Sequence, residues 1–118
     1  MTTMQKPKSG SDPDFFDALE ARPLEEREAA LMAALPRKLA HAKQNAPGWA
    51  RILKDVDAAA VTTRAALAQL PVTRKSELAE LQKAMPPLGG LNATPLEKLA
   101  KLFVSPGPVY DPEGQGKD

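Results

Sequence analysis

Near its carboxyl end the chain carries a short apolar run followed by a segment rich in glycine and proline. The segment reads Leu102-Phe103-Val104-Ser105-Pro106-Gly107-Pro108-Val109-Tyr110-Asp111-Pro112-Glu113-Gly114. Its apolar start predicts one short strand over about residues 102–104, and the small residues that follow predict a Gly/Pro-rich loop over 105–118. A strand that runs into such a turn is one way in which proteins bring backbone N–H groups to a phosphate.

A strand and loop of this kind need a larger sheet to support them. The composition of this chain does not favour a large packed core. The chain has 118 residues, of which 42% are hydrophobic but only 4% are aromatic. A core of alanine and leucine buries little area, and burial at roughly 25 cal/mol per Å² must offset the ordering entropy of each residue. We therefore expect the front part of a larger enzyme, truncated near residues 105–118 and unstable in isolation.

Charge and residue usage argue against several classes of protein. The net charge is +1 with acidic and basic residues interleaved, so no basic face is available for a nucleic-acid backbone. The chain has no cysteine and a single histidine, His41, which argues against a disulfide framework and a zinc site. No apolar run approaches the roughly 20 residues of a membrane span, and residues 1–13 are polar and lack the apolar segment typical of a signal peptide. We expect a soluble, cytoplasmic protein without nucleic-acid, membrane or metal binding.

Upstream of the strand the sequence predicts a series of helices. The strongest runs from about Leu24 to Asn45 on apolar residues at helical spacing, with a kink or a break at Pro36. Shorter helices are predicted from Pro47, over about Arg64 to Gln69, after a Thr73 cap, and over Pro95 to about Lys101 behind a Thr94 capping box. The fold class is mainly α, and a cluster of Phe15, Phe16 and Leu19 is expected to dock on its body.

These features predict a division of the chain into three parts. Residues 1–13 are predicted to be a flexible leader, because they are rich in lysine, serine, glycine and aspartate. Residues 14–104 are predicted to form a helical N-terminal subdomain, and residues 105–118 are predicted to be the Gly/Pro-rich loop and the truncation point. No internal repeat or sustained heptad pattern is present.

Four stretches occur in an order that points to one enzyme family. They are Glu26-Arg27-Glu28 at the start of the long helix, Asn45-Ala46-Pro47-Gly48-Trp49, Leu70-Pro71-Val72-Thr73-Arg74-Lys75-Ser76-Glu77-Leu78, and Phe103-Val104-Ser105-Pro106-Gly107. Together they resemble the N-terminal region of phenylacetate–CoA ligases and related aryl-CoA ligases of the adenylate-forming superfamily. The last stretch lies where that family has its Ser-Ser-Gly-Thr-Thr-Gly-Lys-Pro phosphate loop, and the resemblance covers roughly residues 15–114.

The resemblance implies that this chain is part of a larger α/β adenylate-forming fold. Such enzymes join an aryl carboxylate to the AMP moiety of ATP with release of pyrophosphate, and then transfer the acyl group to CoA with release of AMP. ATP, Mg²⁺ and CoA are the cofactors implied for the full-length parent, and none is expected to bind this chain alone. The partners implied are the rest of the large domain and an aryl carboxylic acid, with a homodimer possible.

Carried over residue by residue, the resemblance assigns Ser105 and Gly107 to cofactor binding in a degenerate phosphate loop. Two prolines at positions 106 and 108 depart from the family pattern and remove two backbone N–H donors. Asp111 stands where the family has lysine, which places negative charge where a cation would meet phosphate. The loop therefore either serves a differently shaped site or no longer binds a triphosphate. No residue is assigned a catalytic or metal-binding role.

Two functions remain open from the sequence. The first is the N-terminal part of an ATP-dependent aryl-carboxylate–CoA ligase, inactive as this chain alone. The second is a small non-catalytic helical interaction module derived from such an enzyme, and the altered loop is its main support.

Overall fold

A computed structural model of the chain describes residues 14–116. The predicted leader, residues 1–13, and residues 117 and 118 lie outside the described residues. Helices make up most of the described regular structure, which confirms the mainly α fold class. The elements are α1 (Leu24–Asn45), α2 (Pro47–Ile52), a first 3₁₀ turn (Ala58–Ala60), α3 (Arg64–Ala68), α4 (Lys75–Ala84), a second 3₁₀ turn (Leu96–Lys98), β1 (Lys101–Ser105) and β2 (Val109–Glu113).

Helix α1 is one continuous helix of 22 residues that runs through Pro36. The sequence predicted either a kink or a break into two helices at this proline. The prediction of a break is therefore wrong. Glutamates in the first turn and Lys43 in the last turn complement the helix dipole. The predicted apolar face is covered only towards its carboxyl end, since Leu24 and Leu31 are 69% and 52% exposed while Ala46 is buried.

Two predicted helix starts differ from the structure. Helix α4 has Arg74 rather than Thr73 at its N-cap, and the Arg74 N–H donates to Glu77 Oε2 at 3.0 Å. The predicted helix to Lys101 is only a 3₁₀ turn without a side-chain cap. The chain leaves that turn early because strand pairing takes over, beginning with the Ala100 N–H, which donates to the Glu113 carbonyl at 2.9 Å.

The Gly/Pro-rich segment predicted as a loop contains a second strand. β1 and β2 form an antiparallel pair with the register Lys101 to Glu113 and Ser105 to Val109. The single predicted strand over 102–104 is therefore the middle of β1, and only residues 106–108 form the connecting turn. Pairing between β1 and β2 gives hydrogen-bond partners to backbone N–H and C=O groups that would have none in a loop.

The buried core of the described residues is small. Its apolar members are Ala46, Leu53, Val61, Leu88 and Val109. α1 packs against α2 and the first 3₁₀ turn, and α4 packs against β2. The radius of gyration is 17.7 Å, whereas a compact domain of this size would have one of about 13 Å. The chain is therefore elongated and leaves apolar surface uncovered.

The segment after α4 docks on α2 through a close approach of two backbones. The Gly48 N–H donates to the Gly90 carbonyl at 2.7 Å. Gly89 and Gly90 adopt φ values of 65° and 71°, which side chains with a Cβ rarely tolerate. Glycine at these three positions therefore lets the two segments meet.

The phenylalanines before α1 do not both dock on the body. The side chain of Phe16 is 92% exposed and that of Leu19 is 60% exposed. The expected docking of the cluster is therefore wrong for these two residues. No helix among residues 14–116 is long and apolar enough to cross a membrane.

A bidentate ion pair ties α1 to α3. Arg64 donates through Nε to Glu28 Oε1 and through Nη2 to Glu28 Oε2, the latter at 2.8 Å. This hydrogen bonding lowers the pKa of the Glu28 carboxyl below its ordinary value of 4.5. Because the folded pKa is the lower one, the stability from this pair is present above pH 4.5 and is lost as pH falls through the folded value.

Removing the guanidinium is expected to return the Glu28 pKa to its ordinary range. The change is Arg64→Gln, and the measurement is an NMR titration of the Glu28 carboxyl carbon in both proteins. Arg51→Gln, on the exposed end of α2, is the matched control and should leave the Glu28 midpoint in place. Equal midpoints in the original protein and in Arg64→Gln would contradict the ion pair.

Candidate functional site

The residues predicted to bind a phosphate lie at the tip of the β1–β2 hairpin. Gly107 has φ 137°, a conformation that favours glycine. The Ser105 hydroxyl donates to the Val109 carbonyl at 3.2 Å across the hairpin. Ser105 and Gly107 are thus close together, and each has a structural part in closing the turn.

A lysine side chain lies against this tip. Lys75, the first residue of α4, donates through Nζ to the Pro106 carbonyl at 2.5 Å. A Cβ at Gly107 would lie 3.5 Å from Lys75 Cε. The hairpin tip therefore has a cation beside it, and no lysine was predicted at this site from the sequence. Lys75 reaches the tip only because α4 packs alongside the hairpin, a contact that the local sequence does not specify.

Asp111, expected at the position of the family's loop lysine, is not in the turn. It lies in β2 opposite Phe103 and is exposed. Asp111 is three positions beyond Pro108 along the strand, which amounts to roughly 10 Å. The negative charge that the sequence placed at the tip is therefore displaced along the strand. At the tip itself the two prolines still differ from the family pattern. Among residues 106–108, only Gly107 has a backbone N–H.

A buried glutamine holds the second strand against α4. Gln82 is 6% exposed. Its Nε2 donates to the Tyr110 carbonyl, and its Oε1 accepts from the Tyr110 N–H, each at 2.9 Å. Gln82 was not among the residues predicted from the sequence, but a signal for it was present. Gln82 follows Leu78 by four residues, so it is a polar side chain on the apolar face of α4.

Strand β1 exposes apolar side chains on both of its faces. Leu102, Phe103 and Val104 are 44%, 53% and 61% exposed. Because successive side chains alternate between faces, both sides of the strand are uncovered. The sheet has two strands, so the edge of β1 away from β2 is unpaired among residues 14–116. Continuous apolar strands with such faces are typical of sheets that are covered on both sides.

Away from the hairpin tip, an open groove of 650 Å³ lies along α4. A cavity of 270 Å³ lies between α4 and the hairpin, bordered by Gln82, Pro108 and Tyr110 among others. Among residues 14–116 no group of three or more histidine, aspartate or glutamate side chains could hold a metal ion. His41 pairs with Asn45 one turn on, its Nδ1 lying 3.1 Å from the Asn45 Nδ2. The hairpin tip is therefore the candidate site.

No family model and no curated protein matches the sequence. Solved structures do share the fold, and they are structures of an acyl-CoA ligase that forms an acyl-adenylate. That enzyme is 2-hydroxyisobutyryl-CoA ligase. In its postadenylation state with R3-HIB-AMP it superposes with a TM-score of 0.76 at 21% identity over 92% of this chain. With 2-HIB-AMP in the same state the TM-score is 0.69 at 24% identity over 79% of this chain.

A third structure, with 2-HIB-AMP and CoA in the thioesterification state, gives a TM-score of 0.66 at 23% identity over 79% of this chain. The chain spans 20%, 24% and 21% of the lengths of these three ligase chains. Residues 14–116 therefore have the fold of one segment of an adenylate-forming ligase.

Proposed function

We propose that this chain is the N-terminal part of an ATP-dependent acid–CoA ligase. The parent enzyme would convert a carboxylate, ATP and CoA into an acyl-CoA, AMP and pyrophosphate. The observation that carries the proposal is the superposition of 92% of this chain on a ligase of which it spans only 24%. The four ordered sequence stretches that resemble aryl-CoA ligases support it independently.

In this proposal the chain supplies one wall of the site and does no chemistry alone. Ser105 and Gly107 would face the phosphates of ATP from the hairpin tip, with the Lys75 ammonium beside them. Attraction between a cation and phosphate in a partly dry site is the physical basis for this placement. Adenine binding, Mg²⁺ and CoA belong to the remainder of the parent enzyme, which we place in the cytoplasm.

The surface that meets this remainder is strand β1. Its two uncovered faces and its unpaired edge fit burial in a larger sheet. The proposed occupant is the large domain of the same parent protein, because the ligase that shares this fold is four to five times longer than the matched segment. The exposed amino-terminal half of α1 is a second area available for that contact.

The substrate proposed from the resemblance is an aryl carboxylic acid. The test is carboxylate-dependent exchange of pyrophosphate into ATP by a longer protein that contains this chain, with phenylacetate and benzoate in one arm. A 2-hydroxy acid forms the second arm, because the enzyme with the similar fold carries a 2-hydroxyisobutyryl-adenylate. Exchange with neither class would overturn the proposal, whereas exchange with the second arm alone would overturn only the aryl preference. The 118-residue chain alone is expected to give no exchange.

A non-catalytic interaction module is the second candidate. The observation in its favour is the hairpin tip, where two prolines remove N–H donors and the Ser105 hydroxyl is already engaged. Cooperative thermal unfolding of the isolated chain, without any exchange activity in a longer protein, would favour this candidate over the first.

A further inference from the structure

We infer that Gln82 is the positioning residue that fixes the hairpin tip relative to α4, and thereby sets where the tip meets the nucleotide. The inference rests on the proposed function for the nucleotide, and on the structure for the anchoring. It starts from the burial of the Gln82 side chain, which is 6% exposed. A buried polar side chain is costly unless its atoms are hydrogen-bonded, so its partners explain why it is there.

Both polar atoms of the Gln82 side-chain amide form hydrogen bonds with one residue, Tyr110. The amide donates to the carbonyl of Tyr110 and accepts from its N–H, each over 2.9 Å. These are the two groups that a neighbouring strand would occupy, and β1 pairs with the opposite edge of β2. Gln82 thus acts as a one-residue strand partner on the outer edge of β2.

This contact works together with a second one at the other end of α4. Lys75 and Gln82 are seven residues apart, so they lie on the same face of the helix about 10 Å apart along its axis. Lys75 bonds the Pro106 carbonyl in the turn, and Gln82 bonds Tyr110 just beyond it. Two polar anchors from one helix therefore bracket residues 106–110.

The two anchors differ in what they can hold. Lys75 is exposed, and an ammonium on a four-carbon side chain can donate to any nearby oxygen. Gln82 is buried, and its amide fits one donor and one acceptor in a fixed arrangement. The buried amide therefore sets the geometry of the hairpin, while the lysine adjusts to it. A shift of the tip by about 1 Å would weaken any contact to a phosphate.

The test uses a longer protein that contains this chain, with Gln82→Met as the principal variant. Methionine has a similar length but neither donor nor acceptor. We expect the Tyr110 amide to exchange its hydrogen about ten-fold faster, because its protecting partner is gone. We expect the KM for ATP to rise about ten-fold, with the KM for the carboxylic acid unchanged. Gln44→Met, at an exposed position on α1, is the matched control and should change neither value.

Gln82→Glu gives a second readout that a merely structural role would not produce. An ionised carboxylate accepts from the Tyr110 N–H but opposes the Tyr110 carbonyl, whereas a protonated carboxyl offers one donor and one acceptor as the amide does. Burial raises the pKa of such a carboxyl. The KM for ATP in this variant should therefore fall towards the original value as the pH is lowered.

The outcomes separate this inference from the proposed function. If the unmodified protein shows no carboxylate-dependent exchange, the proposed function fails, and the Tyr110 exchange rate decides the anchoring alone. If the unmodified protein is active but Gln82→Met leaves the KM for ATP in place, or raises both KM values equally, the inference is overturned. An unchanged rate of amide hydrogen exchange at Tyr110 in Gln82→Met would also overturn the inference.

Discussion

Replacing Gly48 with alanine is expected to lower the free energy of unfolding by about 2–3 kcal/mol, a typical cost of forcing extra volume into a packed contact. The added Cβ would lie 2.7 Å from the Gly89 carbonyl oxygen and 2.9 Å from that of Gly90. Both are backbone atoms, so the contact is not relieved by rotation of a side chain. The measurement is chemical denaturation of the purified protein at several denaturant concentrations.

The same change also separates the Gly48 N–H from the Gly90 carbonyl, which are 2.7 Å apart. The expected result is therefore detachment of the segment at Gly89 and Gly90 from α2. The matched control is Gly116→Ala, since a Cβ at that position meets nothing within 4 Å. A Gly48→Ala protein as stable as the Gly116→Ala protein would contradict the close approach.

Replacing Val104 with aspartate is expected to have opposite consequences in the short chain and in a longer protein. Val104 is 61% exposed among residues 14–116, so the charge should change the stability of the 118-residue chain by less than about 0.5 kcal/mol and improve its solubility. In the longer protein the large domain is proposed to cover this face. There the change should cost about 3 kcal/mol or more, because a charge replaces a buried apolar side chain.

Val72→Asp is the matched control for this prediction. Val72 is 83% exposed between α3 and α4, and the same substitution there should be mild in both proteins. The comparison is made by thermal unfolding of the four variant proteins beside their parents. A small effect of Val104→Asp in the longer protein would contradict burial of β1 and, with it, the proposed domain contact.

The helices were predictable because their signals are local. The long helix begins at Leu24 and ends at Asn45 as the sequence predicts, and the short helix begins at Pro47 as predicted. Proline and apolar spacing act within one or two turns of helix, and no distant partner is needed to read them. The exceptions are equally informative: the helix expected up to Lys101 gave way to a strand, because pairing with β2 satisfies the same backbone groups.

The candidate site was predictable only in part. Ser105 and Gly107 do lie together at a tip, as a turn between apolar segments implies, but their binding of a nucleotide stays a prediction. Gln82 and Lys75 contact the hairpin across separations of 28 and 31 residues. Such contacts depend on how a helix packs on a strand, which no local pattern specifies. The polar residue on the apolar face of α4 was the one available signal.

By itself, the sequence determined the helical character of the chain, the position of the apolar strand, and the order of stretches that resemble a CoA ligase. Those properties follow from side-chain periodicity, proline and glycine, which act on neighbouring residues. The tertiary structure alone decided that Val109–Glu113 pairs as a second strand, that Asp111 leaves the tip, and that a buried amide anchors Tyr110. These outcomes depend on which backbone groups find partners far along the chain, because an unpaired buried N–H or carbonyl costs more than local preference provides.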